Sequence, residues 1–234
     1  MDGDLCFDVQ NLAVWRIGSL EIWVTETMVT VWIIIALMIL FALWVRIKVR
    51  SFTEVPSTRL QNAMEAAVEG FEKFMINVAG EKLTWLGGWF FTVFSFLIIA
   101  NMSGLVPGVR PPTADWPLPF ALAFSTVIMV QVAGLRHRKL DYLRGLCSPI
   151  FLFLPLNLIS EFSRSISLSF RLFGNVIAGM IIVTLVYSIA PLVVQLVLPV
   201  VLHAYFDVLS GILQAFIFTV LSFSYLGLAV ATEE

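Results

Sequence analysis

An all-α polytopic membrane protein, with five spanning helices and one amphipathic helix lying at the surface, is the fold class this 234-residue sequence predicts. Three observations predict it. Hydrophobic residues make up 59% of the chain and charged residues 13%, with a mean hydropathy of +0.95, too apolar a balance for a domain whose surface must face water. Long apolar runs, each able to cross about 30 Å of hydrocarbon at about 1.5 Å per residue, recur along the chain. Basic residues cluster at alternate ends of those runs, and that asymmetry sets orientation, whereas the net charge of -2 does not. Nucleic acid is not an expected partner.

The elements follow in order. Residues 1–26 form a short acidic tail, expected outside the cell. Residues 27–45 carry no charge and make the first span; Arg46, Lys48 and Arg50 follow and place its end in the cytoplasm. In residues 57–79, Leu60, Met64, Val68, Phe71, Met75 and Val78 recur at three- and four-residue steps, and Arg59, Glu65, Glu69, Glu72 and Lys73 take the other face. Pro56-Ser57 supplies a helix start, and the segment is expected to lie along the cytoplasmic surface, with no second amphipathic segment for it to pack against. Residues 84–106 and 118–135 are the second and third spans, joined by an outer loop containing Pro107, Pro111 and Pro112. Arg136, His137, Arg138, Lys139 and Arg144 then fix the next connection in the cytoplasm.

Residues 148–189 and 192–229 are each far longer than a perpendicular crossing requires, so two strongly tilted helices forming a hairpin are expected, turning at Ala190-Pro191. Pro149, Pro155 and Pro199 start or bend them. Five crossings leave Glu233-Glu234 in the cytoplasm. Cys6 and Cys147 have neither paired nor metal-type spacing and read as free thiols. No internal repeat is visible, which disfavours an inverted-repeat transporter.

Polar residues inside the last two apolar segments carry the functional question. At about 100° per residue, Arg164, Ser167, Arg171 and Asn175 share one narrow face, with Glu161 about 80° from Arg171. On the second segment His203 and Asp207 are one turn apart, and Gln214 is two turns beyond Asp207 on the same side. Most of these residues also have a purely structural reading. Ser167, Ser210, Asn175 and Gln214 suit helix–helix hydrogen bonds, Glu161 with Arg164 a compensating ion pair, and His203 with Asp207 a satisfied pair. Arg171 stands apart, because no acidic residue lies one turn away on its own helix and a guanidinium cannot shed its charge.

The run Ser-Leu-Ser-Phe-Arg171-Leu-Phe-Gly-Asn-Val-Ile-Ala-Gly, with Leu-Gln214-Ala-Phe-Ile-Phe-Thr-Val-Leu near the end, resembles subunit a of bacterial F-type ATP synthases. Asn101-Met-Ser-Gly-Leu-Val-Pro107, Pro112-Thr-Ala-Asp115 and the order of spans extend the resemblance along nearly the whole chain. It implies a stator in the plasma membrane, whose last two helices lie against a rotating ring of c subunits and which peripheral-stalk b subunits hold in place. It further implies that Arg171 is the essential ion-translocation arginine, and that Arg164, Ser167, Asn175, Gln214 and Asn101 match the family's polar positions. Two positions depart from the common bacterial pattern: Met180 stands where glutamate is frequent, and Asp207 where histidine is frequent. Asp207 is therefore expected to serve as the carboxylate that Met180 cannot supply. Asp207, Asn175, Gln214, Glu161 and His203 would line two aqueous half-channels for protons or sodium ions. No cofactor or metal is expected, and without a nucleotide-binding loop or nucleophile arrangement the chain is not expected to be catalytic alone. A stand-alone channel or secondary transporter, and a scaffold without an ion path, are the competing classes.

Overall fold

A computed structural model describes residues 11–17, 20–50, 52, 58–106, 108–139, 142 and 154–231. Its body is helical, and five helices are long and apolar enough to cross a membrane. In the amino-terminal segment, read from sequence as a plain tail, β1 (Asn11–Ile17) pairs antiparallel with β2 (Leu20–Thr25), and Trp15 stands opposite Ile22. Val, Ile, Thr and Trp favour such strands, but a signal six or seven residues long is easily lost beside the apolar runs.

The first span, α1 (Glu26–Val49), begins at Thr25, whose hydroxyl accepts the Met28 amide at 3.3 Å. It extends past the expected 27–45 because Arg46 and Lys48 fit the negative end of the helix dipole. Ile34 packs on Phe96 and Ala100, while Trp32, Ile33, Leu40 and Phe41 lie exposed, an arrangement stable only against lipid or another apolar partner.

The amphipathic helix α2 (Arg59–Ala79) is capped by Thr58, which accepts the Gln61 amide at 3.2 Å; Pro56-Ser57 lies outside the described residues. The helix ends at Gly80, whose φ of 88° only glycine adopts without strain. Part of its apolar stripe packs on the spanning helices. Phe71, Phe74, Met75 and Val78 join a cluster with Phe90, Phe223 and Leu226, whereas Leu60 and Val68 remain exposed. A Cβ on Gly227 would come within 3.3 Å of the Val78 carbonyl oxygen, so the two backbones meet closely there.

A 3-10 turn, Glu81–Leu86, leads into α3 (Gly87–Met102). Further 3-10 turns at Ser103–Leu105 and Pro112–Ala114 flank the next connection, where Asp115 accepts a hydrogen bond from the Thr27 hydroxyl and ties the loop to α1. Helix α4 (Pro117–Arg138) starts with proline in its first turn, where the missing N–H costs nothing. Helix α5 (Leu154–Ile189) has 36 residues, about 54 Å of helix at 1.5 Å per residue, and must tilt to remain in a bilayer. The expected start at 148–153, together with Cys6, Cys147, Pro149, Arg144 and Glu233-Glu234, falls outside the described residues.

Across the turn at Ala190-Pro191, the Gln195 amide donates to the Tyr187 and Ala190 carbonyls at 2.9 and 2.8 Å. The final segment, expected as one long helix over 192–229, is helical without a break from Leu192 to Val230 but changes register within it. It comprises α6 (Leu192–His203, containing Pro199), a π turn (Ala204–Ser210) and α7 (Gly211–Val230). Helix α7 is the hub, packed by α2, α3 and α4. Val93, Leu97, Ala123, Leu168, Leu172, Ala215 and Phe218 form the second core cluster and bind α5 to that hub. Thr219 and Ser222 are buried without leaving their hydroxyls unpaired, because each donates to the carbonyl one turn back.

Candidate functional site

Burial divides α5 lengthwise. Leu168, Leu172, Ser165 and Ser169 face the bundle, and Ser160, Ser163, Ser167, Arg171, Gly174, Asn175 and Ala178 face outward. Arg171 makes no hydrogen bond, ion pair or ring contact with any described residue, and sits exposed on the face that carries Ser167, Gly174 and Asn175. It stands midway along a 36-residue helix, and a guanidinium held inside a bilayer needs a counter-charge or water beside it.

One turn along, the Asn175 amide donates to Gln214 Oε1 at 2.8 Å, crossing from α5 to α7 beside the arginine. Gln214 is 3% exposed, and its Nε2 has no partner of its own. A donor left bare in this interior costs roughly 1–3 kcal/mol. The α5 and α7 polar residues are thus brought together at this pair.

Towards the start of α5, Glu161 and Arg164 form the ion pair that the sequence left as one alternative, with Arg164 Nη1 2.7 Å from Glu161 Oε1. The same guanidinium lies 5.1 Å from the centre of the Tyr225 ring. Arg164 therefore turns away from Arg171 and Ser167 towards α7, although helical spacing alone groups the three. Tyr142, between α4 and α5, donates to Gln131 Oε1 at 2.8 Å, and its ring occupies the space a Cβ on Gly134 would need. Burial pushes the Tyr142 phenol above its ordinary range, and the Glu161 carboxylate adds to the rise.

At the opposite end lies a second polar group. His203 Nδ1 is 2.6 Å from Asp207 Oδ2. Asp207 faces the loop beyond α3: a Cβ on Gly104 would sit 3.4 Å from its Cγ and 2.9 Å from Pro111 Cγ. Asn101, 3% exposed, accepts from the Thr113 hydroxyl at 2.8 Å and donates to the Gly211 carbonyl at 3.0 Å. Asp207 and Gln214 do not look the same way, as regular α-helical spacing would require. The π turn that contains Asp207 shifts the register, so Asp207 meets the loop while Gln214 meets α5.

Sequence spacing did not bring forward Tyr142, Gln131, Tyr225, Thr113 or Gly104. Thr113 and Gly104 lie in motifs that carry the family resemblance, but the tyrosines have no periodic signal that separates them from interfacial packing. Among the described residues no group of three or more His, Cys, Asp or Glu could hold a metal ion.

A family model described as "ATP synthase A chain" matches residues 28–227 of this sequence, a range that contains both polar groups and Arg171. The chain belongs to the ATP synthase A chain family. It is similar to "ATP synthase subunit a 2" of Bradyrhizobium, 35% identical over 219 residues, which cover 93% of each chain. It is also similar to "ATP synthase subunit a" of Moorella thermoacetica, 32% identical over 93% of this chain and 95% of that one. The protein of that name from Sulfurimonas denitrificans is 37% identical over 77% of this chain and 81% of its own. As an A chain, with five spanning helices, this is an integral multi-pass membrane subunit of a rotary ATP synthase, with no catalytic role of its own.

Proposed function

We propose that this A chain is the ion-translocating stator of the synthase, with Arg171 as the group that makes a rotor carboxylate release its ion. The observation that carries the proposal is the exposed guanidinium on the outward face of α5, among small and polar residues of an otherwise apolar helix, without a partner among the described residues. A carboxylate surrounded by lipid is held neutral by desolvation, and the same carboxylate about 4 Å from Arg171 gains about 4 kcal/mol for its ionised form at an effective dielectric near 20. That is about three pKa units, enough to reverse the preference for holding the ion. Loading away from the arginine and unloading beside it follow from the same fixed charge.

The two polar groups on either side of Arg171 then act as offset access routes. His203 and Asp207, near the loop beyond α3, serve the outer side. Glu161 and Arg164, which act on Tyr142 together with Arg138 at the basic end of α4, serve the cytoplasmic side. In this orientation the amino terminus lies outside and the carboxyl terminus in the cytoplasm, across a bacterial plasma membrane. Asn175 and Gln214 hydrate or bridge the gap beside the arginine, Ser167 faces the rotor, and Asn101 supports the outer route. The ring of c subunits is the partner on the exposed α5 face, and peripheral-stalk b subunits hold the chain against the torque. The transported ion is a proton or sodium ion.

The test is ATP-driven pumping by the reconstituted complex with Arg171 replaced: its loss with assembly retained is expected, and normal pumping overturns the assignment. For Asp207→Asn the expected result is a slower flux with an altered dependence on pH, again with the complex intact. Flux indistinguishable from the parent across the whole pH range would leave His203–Asp207 as a structural pair only.

A further inference from the structure

We propose that the π turn at Ala204–Ser210 is a positioning element, and that Asn101 is the residue that sets it, so that Asp207 is aimed at the loop beyond α3 rather than at α5. The meaning of this device for ion transfer rests on the outer-route reading of Asp207, but its geometry stands alone.

In a continuous α-helix, seven residues span about 700°, so Asp207 and Gln214 would project within about 20° of each other. A π turn closes its hydrogen bonds one residue later and accommodates an extra residue, rotating the helix before it by roughly 100° relative to the helix after it. The contacts agree with that rotation: Asp207 lies against Gly104 and Gln214 accepts from Asn175. One polar stripe is thereby split into two stations that face different helices.

A π turn is a poorer arrangement than an α-helix and persists where its surroundings hold it. Three close approaches hold this one. A Cβ on Gly179 would lie 2.9 Å from Phe206 Cβ, one on Gly104 would meet Pro111 and Asp207, and one on Gly211 would lie 2.9 Å from Asn101 Cβ. The third contact is also polar. Asn101 Nδ2 donates to the carbonyl of Gly211, the first residue after the π turn, and so grips the chain where the α register resumes. The Thr113 hydroxyl donates to Asn101 Oδ1 and thereby fixes which end of the amide points at Gly211. A buried side chain that satisfies the backbone at a register change has the geometry of a latch.

The test is a cross-link made in the assembled complex. In a chain with Cys6→Ser and Cys147→Ser, the pair Pro111→Cys and Asp207→Cys is oxidised with copper phenanthroline, and the disulfide is quantified by mass spectrometry after digestion. The expected result is efficient closure in that background and at least a fivefold drop when Asn101→Ala is added, with Thr113→Val giving a smaller drop. No cross-link without the Asn101 change would overturn the placement of Asp207 at the loop. Equal cross-linking with and without Asn101 would overturn its role as latch. Should Asn101→Ala prevent assembly, Thr113→Val decides, and unchanged closure there counts against the proposal. Normal cross-linking combined with unaltered pumping by Asp207→Asn would sink the ion-route reading and leave the π-turn device standing.

Discussion

Arg171→Ala is expected to abolish ATP-driven ion pumping in reconstituted vesicles while the complex still assembles. The size of the effect follows from the attraction the residue supplies. Losing about 4 kcal/mol of preference for an ionised rotor carboxylate slows release by about three orders of magnitude, below what vesicle assays detect. Assembly should survive, because Arg171 contacts no described residue through a polar or ring interaction and its exposed side chain fills no space inside the bundle. Removing the fixed cation also removes the barrier between the two access routes, so passive ion leak through the complex should rise even as coupled transport ends. Arg171→Lys separates charge from shape. An ammonium keeps the Coulomb term but loses the forked, delocalised donor set and is more strongly hydrated, so partial function at a much reduced rate is expected. Pumping at the parental rate by Arg171→Ala, with membrane integrity verified, would remove the arginine from the mechanism.

The fold class was legible because lipid leaves few options: apolar runs must be helices, and their lengths and basic flanks can be counted without knowing the packing. The extension of α1 to Val49 and the capping of α2 by Thr58 change boundaries, not architecture. The hairpin formed by Asn11–Ile17 and Leu20–Thr25 was harder to see, since its strands are short. For the site, helical spacing identified Arg171 and the residues around it but assumed a regular helix. The π turn at Ala204–Ser210 has no proline, and its polar members, Asp207 and Ser210, gave no warning. Its cause lies in Gly104, Gly179 and Asn101 on other elements, which a single-helix argument never consults. Arg164 shows the same limit: its spacing groups it with Arg171, but Glu161 three residues back and Tyr225 on α7 hold it elsewhere.

Phe223→Ala carries the largest expected cost in stability. Its side chain is fully buried, with ring centres 4.9 Å from Phe90, 5.7 Å from Phe71 and 5.7 Å from Phe74, so it joins α7 to both α2 and α3. In a soluble core such a truncation costs about 3–5 kcal/mol, from lost transfer energy plus the cavity left behind. Between membrane helices the transfer part shrinks, because lipid is as apolar as the interior, and the loss is mainly of packing contacts. The amphipathic helix changes that balance: α2 has a polar face that keeps it out of the hydrocarbon, so detaching it exposes Phe71, Phe74 and Met75 to water, and the transfer part returns. A cost of about 3 kcal/mol is therefore expected on unfolding the chain in mixed micelles. Leu40→Ala, at a position 62% exposed on α1, should cost less than about 0.5 kcal/mol in the same titration. Proteolysis discriminates further: in Phe223→Ala the α2 segment should be cleaved faster than the spanning helices, and uniform protection would mean that α2 is held by contacts other than this aromatic cluster.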